Sequence, residues 1–124
     1  MRAFLWVPLW VASAFAEAQA GPNAQAGQTL AIAACGACHQ VMPEQPSPAP
    51  VYNPDEQVSV AAPSFAAISD KYAHRSSSLR RIIVNPPHPM REQNWDPADL
   101  ETVIDFIQSL QPPVPIPRPD PVAP

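Results

Sequence analysis

The sequence has few cysteines, few charged residues and no long hydrophobic run, and each shortage argues against a class of protein. Its 124 residues are 15% charged and carry a formal net charge of −4, which argues against a general nucleic-acid-binding surface. There are two cysteines, and no second pair of residues with metal-ligand spacing accompanies them, so a four-ligand zinc site is not predicted. The apolar run over residues 3–16 is short for a membrane span.

Residues 1–20 have the pattern of an export signal that is removed from the mature protein. Arg2 is the only charge before the apolar run, and Ala18-Gln19-Ala20 supplies a small-residue cleavage site. Ala14-Phe15-Ala16 is a second candidate for cleavage, and an uncleaved anchor is a minor alternative. We therefore predict an exported protein with no stable membrane insertion after cleavage.

The other end of the chain is rich in proline. Residues 112–124 contain seven prolines, a composition that forms neither helix nor paired strand and favours an exposed polyproline-type tail. We predict that this tail is disordered. The remaining residues, 21–111, are enough for one domain.

The run Cys35-Gly36-Ala37-Cys38-His39 is the most informative motif of the chain. Two thiols separated by two residues and followed by histidine form the attachment signature of a c-type haem. Each thiol adds across one haem vinyl group, and His39 can supply one axial nitrogen to the iron. In bacteria this haem is joined covalently outside the cytoplasm, which agrees with the export signal and predicts a periplasmic location.

Two other interpretations of the cysteine pair have to be weighed. A redox dithiol of the thioredoxin kind needs strands alternating with helices around the motif, and no strand-like alternation flanks Cys35. A structural disulfide between Cys35 and Cys38 would close a tight, strained loop. Haem attachment is the interpretation that also uses the adjacent histidine.

The second axial ligand is predicted to be Met90, which lies in a proline-stiffened loop between two predicted helices. A soft thioether ligand favours ferrous iron and raises the reduction potential, as suits an electron carrier. Met42 follows His39 too closely to reach the opposite face of the haem. His88 is the main rival, and if neither Met90 nor His88 binds, the sixth position is open to small molecules.

Hydrophobic periodicity and capping residues predict four helices. They are expected over 24–34 with Asn23 as N-cap, over 65–73 with Ser64 as N-cap, from Ser76 to near Asn85, and from Pro97, capped by Asp96, until Pro112 terminates it. In the last helix Leu100, Val103, Ile104, Ile107 and Leu110 form the predicted core stripe. The proline-rich segment 41–62 is predicted to be a long loop with no secondary structure.

With these motifs the chain resembles a small class I cytochrome c, of the monohaem bacterial type, over about residues 24–111. The resemblance rests on the Cys35–His39 motif, on Ala62-Pro63-Ser64-Phe65, on the segment Asn85 to Met90, and on the closing helix through Val103 to Ile107. It implies an all-α fold of about four short helices wrapped around one covalent haem. It further implies that the first and last helices cross near Gly27 with Phe106 as the aromatic partner, and that a carbonyl near Pro63 accepts the His39 ring N–H.

The expected function is one-electron transfer between periplasmic redox partners, by a protein that is not itself an enzyme. Basic residues concentrated near the expected haem edge would steer an acidic partner: Lys71, Arg75, Arg80, Arg81 and Arg91. A second hypothesis is a dedicated haem subunit of a dehydrogenase complex, with the proline-rich segments as docking elements. A third is an enzyme or gas sensor with an open haem site. The protein is accordingly expected as a monomer or as a subunit of such a complex.

Overall fold

The computed structural model describes residues 22–112, which form four helices and one small hairpin. In chain order the elements are α1 (Pro22–Cys35), β1 (Val51–Asn53), β2 (Val58–Val60), α2 (Phe65–Lys71), α3 (Ser76–Val84) and α4 (Pro97–Ser109). The predicted export signal, and the predicted tail apart from Pro112, lie outside the described residues. Within residues 22–112 no helix combines the length and the hydropathy needed to cross a membrane.

The last helix organises the core because it packs against all three of the others. Five of its residues are buried: Leu100, Val103, Ile104, Phe106 and Ile107. They meet Ala31 of α1, Phe65 of α2 and Leu79 of α3 in one hydrophobic cluster. Four of the five residues of the predicted stripe are therefore buried in the core, and the fifth, Leu110, lies just past the helix end and packs against it.

Helices α1 and α4 cross in close contact, and the crossing depends on Gly27. A Cβ atom at this position would lie 2.7 Å from the Cβ of Phe106 and nearer still to the backbone oxygen of Thr102. Only a residue without a side chain lets the two backbones come this close. The predicted crossing near Gly27, with Phe106 as its partner, is confirmed.

Two of the three predicted helix caps are confirmed. Ser64 accepts a hydrogen bond through Oγ from the Ala67 amide at 3.2 Å, and Asp96 accepts one through Oδ1 from the Ala98 amide at 2.9 Å. The N-cap predicted at Asn23 is wrong, because α1 already includes Pro22 and Asn23 is inside it. Proline at the start of a helix is tolerated, since its missing N–H would have no partner there.

The prediction of an unstructured loop over 41–62 is also wrong. Strands β1 and β2 pair antiparallel, with Val51 opposite Val60 and Asn53 opposite Val58. The turn between them is stabilised by Asn53, whose Oδ1 accepts from the Asp55 amide at 3.0 Å. Prolines dominate this segment, but Pro54 falls in the turn, so the short β-branched runs on either side remain free to pair.

Candidate haem site

The motif Cys35–His39 forms a tight turn at the C-terminal end of α1. The Gly36 amide donates to the Ile32 oxygen at 3.1 Å, and the Cys35 oxygen accepts from the amides of Cys38 and His39 at 3.1 and 2.9 Å. These bonds continue the helix by one irregular turn. Both thiols are half-buried and free, and the turn holds them together with His39 at one helix end.

The burial of the Cys35 thiol bears on whether the cysteine pair is a redox dithiol. Burial raises the pKa of the Cys35 thiol to about 11, and the neighbouring Cys38 adds to the shift. A redox dithiol needs a thiolate with a lowered pKa, which an apolar setting does not provide. The environment of Cys35 therefore opposes the interpretation as a redox dithiol.

The imidazole of His39 is buried and held in one orientation. Its Nδ1 lies 2.8 Å from the backbone oxygen of Pro63, and its ring meets the ring of Phe65 edge-on at 5.8 Å between centroids. A carbonyl oxygen only accepts hydrogen bonds, so Nδ1 is the donor, and in the neutral imidazole the lone pair is then on Nε2. This is the bond that the resemblance implied, and it prepares Nε2 to bind a metal.

The segment that follows His39 is closed by two glutamines that the sequence analysis did not single out. Gln45 accepts through Oε1 from the amides of Val41 and Met42 at 3.2 and 3.0 Å, and Gln40 donates through Nε2 to the Gln45 oxygen at 2.7 Å. The Phe65 amide donates to the Gln40 oxygen at 2.9 Å. The turn after His39 is thereby fastened both to itself and to the start of α2.

Met90 lies in the segment 85–96 between α3 and α4, called here the Met90 loop. Its amide donates to the Pro87 oxygen at 3.0 Å, and the peptide bond between His88 and Pro89 is cis. Met90 borders an open cleft of about 530 Å³ between the loop and the hairpin. The rival ligand His88 lines the same cleft, but its side chain is exposed and lies 3.4 Å through Nδ1 from Oδ2 of Asp55.

One hydrogen bond joins the Met90 loop to the helix that carries the cysteine motif. Gln93 donates through Nε2 to the backbone oxygen of Ala34 at 3.1 Å. Ala34 directly precedes Cys35, so the loop with the predicted distal ligand is tied to the predicted attachment turn. No sequence signal identifies such a contact, because the two residues are 59 positions apart.

The donor set suits a c-type haem. It offers two free thiols on one turn, an imidazole whose Nδ1 is bonded to the Pro63 oxygen, and a thioether beside an open cleft that neither cysteine nor His39 lines. Within residues 22–112 no three His, Cys, Asp or Glu side chains cluster in a way that could hold a metal ion.

Fold and site together define an all-α domain equipped to hold a covalent haem. A family model described as Cytochrome c matches residues 24–111 of the chain. The chain belongs to the cytochrome c family. No curated protein and no solved structure gave a significant match.

Membership of this family confirms several of the predictions made from the sequence. The chain is a class I cytochrome c with an all-α fold, to which the structure adds a small two-stranded sheet. It binds haem c covalently, and its function is haem-based electron transfer.

Proposed function

We propose that this cytochrome c is a one-electron carrier whose haem is attached through Cys35 and Cys38 and coordinated axially by His39 and Met90. The observation that carries the proposal is the hydrogen bond from His39 Nδ1 to the Pro63 oxygen at 2.8 Å. It supports the proposal because a neutral ring that donates through Nδ1 has its lone pair on Nε2, on a histidine that directly follows the second cysteine. An exposed histidine would need no such bond.

The two proposed ligands, His39 and Met90, shift the reduction potential of the iron in opposite directions. The Pro63 carbonyl makes the His39 ring more basic, which favours ferric iron, whereas the soft sulfur of Met90 favours ferrous iron. Bound haem c supplies an iron that cycles between these two states. The bond to Pro63 keeps the His39 ring in place, and the bond from the Met90 amide to the Pro87 oxygen shapes the Met90 loop, so little of the protein has to reorganise when an electron moves.

The test is spectroscopic, on the matured protein in both oxidation states. Wild type should give a c-type spectrum with a near-infrared sulfur-to-iron charge-transfer band in the ferric state. Met90→Ala should abolish that band, and the matched control His88→Ala should keep it. A band that survives in Met90→Ala contradicts the assignment, and rapid carbon monoxide binding by the reduced wild type would instead support an open sixth position.

We also propose that the basic residues between positions 71 and 91 steer acidic partners, although not all five contribute equally. Arg80 donates through Nη2 to Oε2 of Glu101 at 2.7 Å, so its charge is largely compensated. Lys71 and Arg75 both lie over the Tyr72 ring, with Nζ and Cζ 5.6 and 5.8 Å from its centroid, and neither has an acidic partner among the described residues. Their charges remain available to an approaching protein.

Ionic strength tests this steering proposal. The rate of electron transfer to the anionic probe ferricyanide should fall as salt rises, and Lys71→Glu should reduce both the rate at low salt and its salt dependence. Arg80→Ala combined with Glu101→Ala preserves net charge and serves as the control. A rate that does not depend on salt in the wild type would remove the steering proposal.

For the location we propose export to the periplasm, with residues 1–20 as the signal, 21–111 as the haem domain and 112–124 as the tail. The support is the charged, apolar and small-residue pattern of residues 1–20, together with a family whose bacterial members are typically periplasmic or extracellular. Intact mass and N-terminal sequencing of the haem-loaded protein should show a chain that begins at Gly21, or at Glu17 if cleavage follows Ala16.

A second candidate is a dedicated haem subunit of an oxidoreductase complex. It is favoured by the hairpin, which carries Tyr52 and Val58 with 57% and 47% of their surfaces exposed and packs against none of the described helices. Large apolar side chains in such a position suit a protein contact. Co-purification with a larger dehydrogenase at fixed stoichiometry would favour the subunit, and a freely diffusing monomer would favour the shuttle.

A further inference from the structure

We propose that Gln93 is a positioning residue for Met90, and that its hydrogen bond to Ala34 limits how often the Met90 sulfur leaves the iron. The inference rests on the proposed ligation by His39 and Met90. It assigns to an exposed glutamine a part in keeping the sixth coordination position closed.

The bond has a clear physical reason on the α1 side. The last carbonyl groups of a helix have no amide partner within the helix and need one from elsewhere. At the end of α1 the Ile32 oxygen is satisfied by Gly36, and the Cys35 oxygen by Cys38 and His39. The Ala34 oxygen accepts from Gln93 at 3.1 Å, so the glutamine satisfies one further carbonyl group of this helix end.

The Met90 loop has few other hydrogen bonds to hold it in place, so the single bond from Gln93 is important for its position. Three of the residues around Met90 are prolines, Pro86, Pro87 and Pro89, and none of them has an N–H to donate. The backbone bond from Met90 to Pro87 is local to the loop, and the contact of His88 with Asp55 leads to the hairpin. Among the hydrogen bonds of residues 22–112, that of Gln93 alone joins the loop to α1.

The consequence concerns ligand exchange and not electron transfer itself. If the haem is held as proposed, Met90 would be the residue that leaves the sixth position, and an external base could then take its place as lone-pair donor with no change of oxidation state. Gln93 lies three residues after Met90, so releasing its side chain allows the loop backbone to move away from α1. The fraction of time for which the position is open should then increase.

Imidazole binding to the ferric protein measures this opening. At saturating imidazole the observed rate approaches the rate at which Met90 leaves. Gln93→Glu replaces the donor by a carboxylate that faces a carbonyl oxygen, and Gln93→Leu removes the donor without adding charge. Both should raise the limiting rate by roughly two- to tenfold, the range expected for one ordinary hydrogen bond. Gln93→Lys keeps a donor and should stay close to wild type.

The control is Asn94→Asp, which makes the same charge change one residue further on, at an exposed side chain. An equal rise in Asn94→Asp and Gln93→Glu would overturn the proposal, and so would unchanged limiting rates in both Gln93→Glu and Gln93→Leu. Loss of global stability without a change in the limiting rate would identify Gln93 as a helix cap only and also overturn it. Absence of the sulfur-to-iron band in wild type would instead show that the proposed ligation fails, whatever the behaviour of Gln93.

Discussion

The Nδ1 atom of His39 lies 2.8 Å from the backbone oxygen of Pro63, a residue 24 positions further along the chain. Pro63 directly precedes Ser64, the N-cap of α2, and the next residue, Phe65, contacts the His39 ring. The orientation of the imidazole and the start of α2 are therefore set by the same three consecutive residues. A change that loosens the first turn of α2 should reach the haem ligand through the Pro63 carbonyl.

Ser64→Ala tests this connection. It removes the acceptor of the Ala67 amide and should lower the free energy of unfolding by about 0.5–2 kcal/mol. If the Pro63 carbonyl also moves, the His39 ring becomes less basic, ferric iron is less stabilised, and the reduction potential rises. Denaturant titration and redox potentiometry measure the two effects. Ser64→Thr keeps the hydroxyl group and is the control. A reduction potential that is unchanged in Ser64→Ala would show that the helix cap does not influence the His39 ring.

Gln45→Leu should destabilise the turn that follows His39. The substitution leaves the amides of Val41 and Met42 without their acceptor, in a segment where Val41 is fully buried. An unpaired amide in such a place costs about 1–3 kcal/mol, which should appear as a lower denaturation midpoint.

The matched variant for this turn is Gln45→Glu. It retains an acceptor oxygen in the same place and should preserve most of the stability at neutral pH. Equal destabilisation by leucine and glutamate would show that the side-chain acceptor is not what stabilises the turn.

The sequence was sufficient to predict the parts of the fold that depend on local rules. Helix α4 has an aspartate cap, a proline in its first turn and an apolar residue every three or four positions, and all three features are in the structure. The cysteine motif predicted the chemistry of the site because its spacing is tied to the spacing of the haem vinyl groups. Both kinds of signal lie within a few consecutive residues.

The features that could not be predicted depend on contacts between distant residues or on short, weak patterns. Strands β1 and β2 have three residues each, which is too short for a clear alternation of apolar and polar residues. The prolines around them indicate a loop instead. The asparagine at the start of the turn was the available signal for the hairpin. No local pattern predicted the hydrogen bond of Gln93, because it forms only when the fold brings the end of α1 next to this exposed side chain.

The ion pair between Arg80 and Glu101 links α3 to α4, and its contribution to stability should be small. The two side chains are 43% and 47% exposed, so water screens their attraction. Arg80→Ala should lower the free energy of unfolding by about 0.2–1 kcal/mol, less in high salt. The double exchange Arg80→Glu with Glu101→Arg should recover most of that loss. If it recovers none, packing of the Arg80 side chain contributes more to stability than its charge does.

Gly27→Ala offers the sharpest test of the fold, because two effects of opposite sign compete. Alanine is the better helix former by up to about 1 kcal/mol, so an isolated α1 would gain stability. In the folded protein the new methyl group would meet the Phe106 Cβ at 2.7 Å and the Thr102 backbone, neither of which can move without separating the helices. Overpacking of this kind costs about 1–3 kcal/mol, so we expect net destabilisation in a denaturant titration.

Ala26→Gly, the reverse exchange at the exposed neighbour, should also destabilise, by about 0.5–1 kcal/mol through propensity alone. If Gly27→Ala instead stabilised the protein, helices α1 and α4 could not cross as closely as the structure shows.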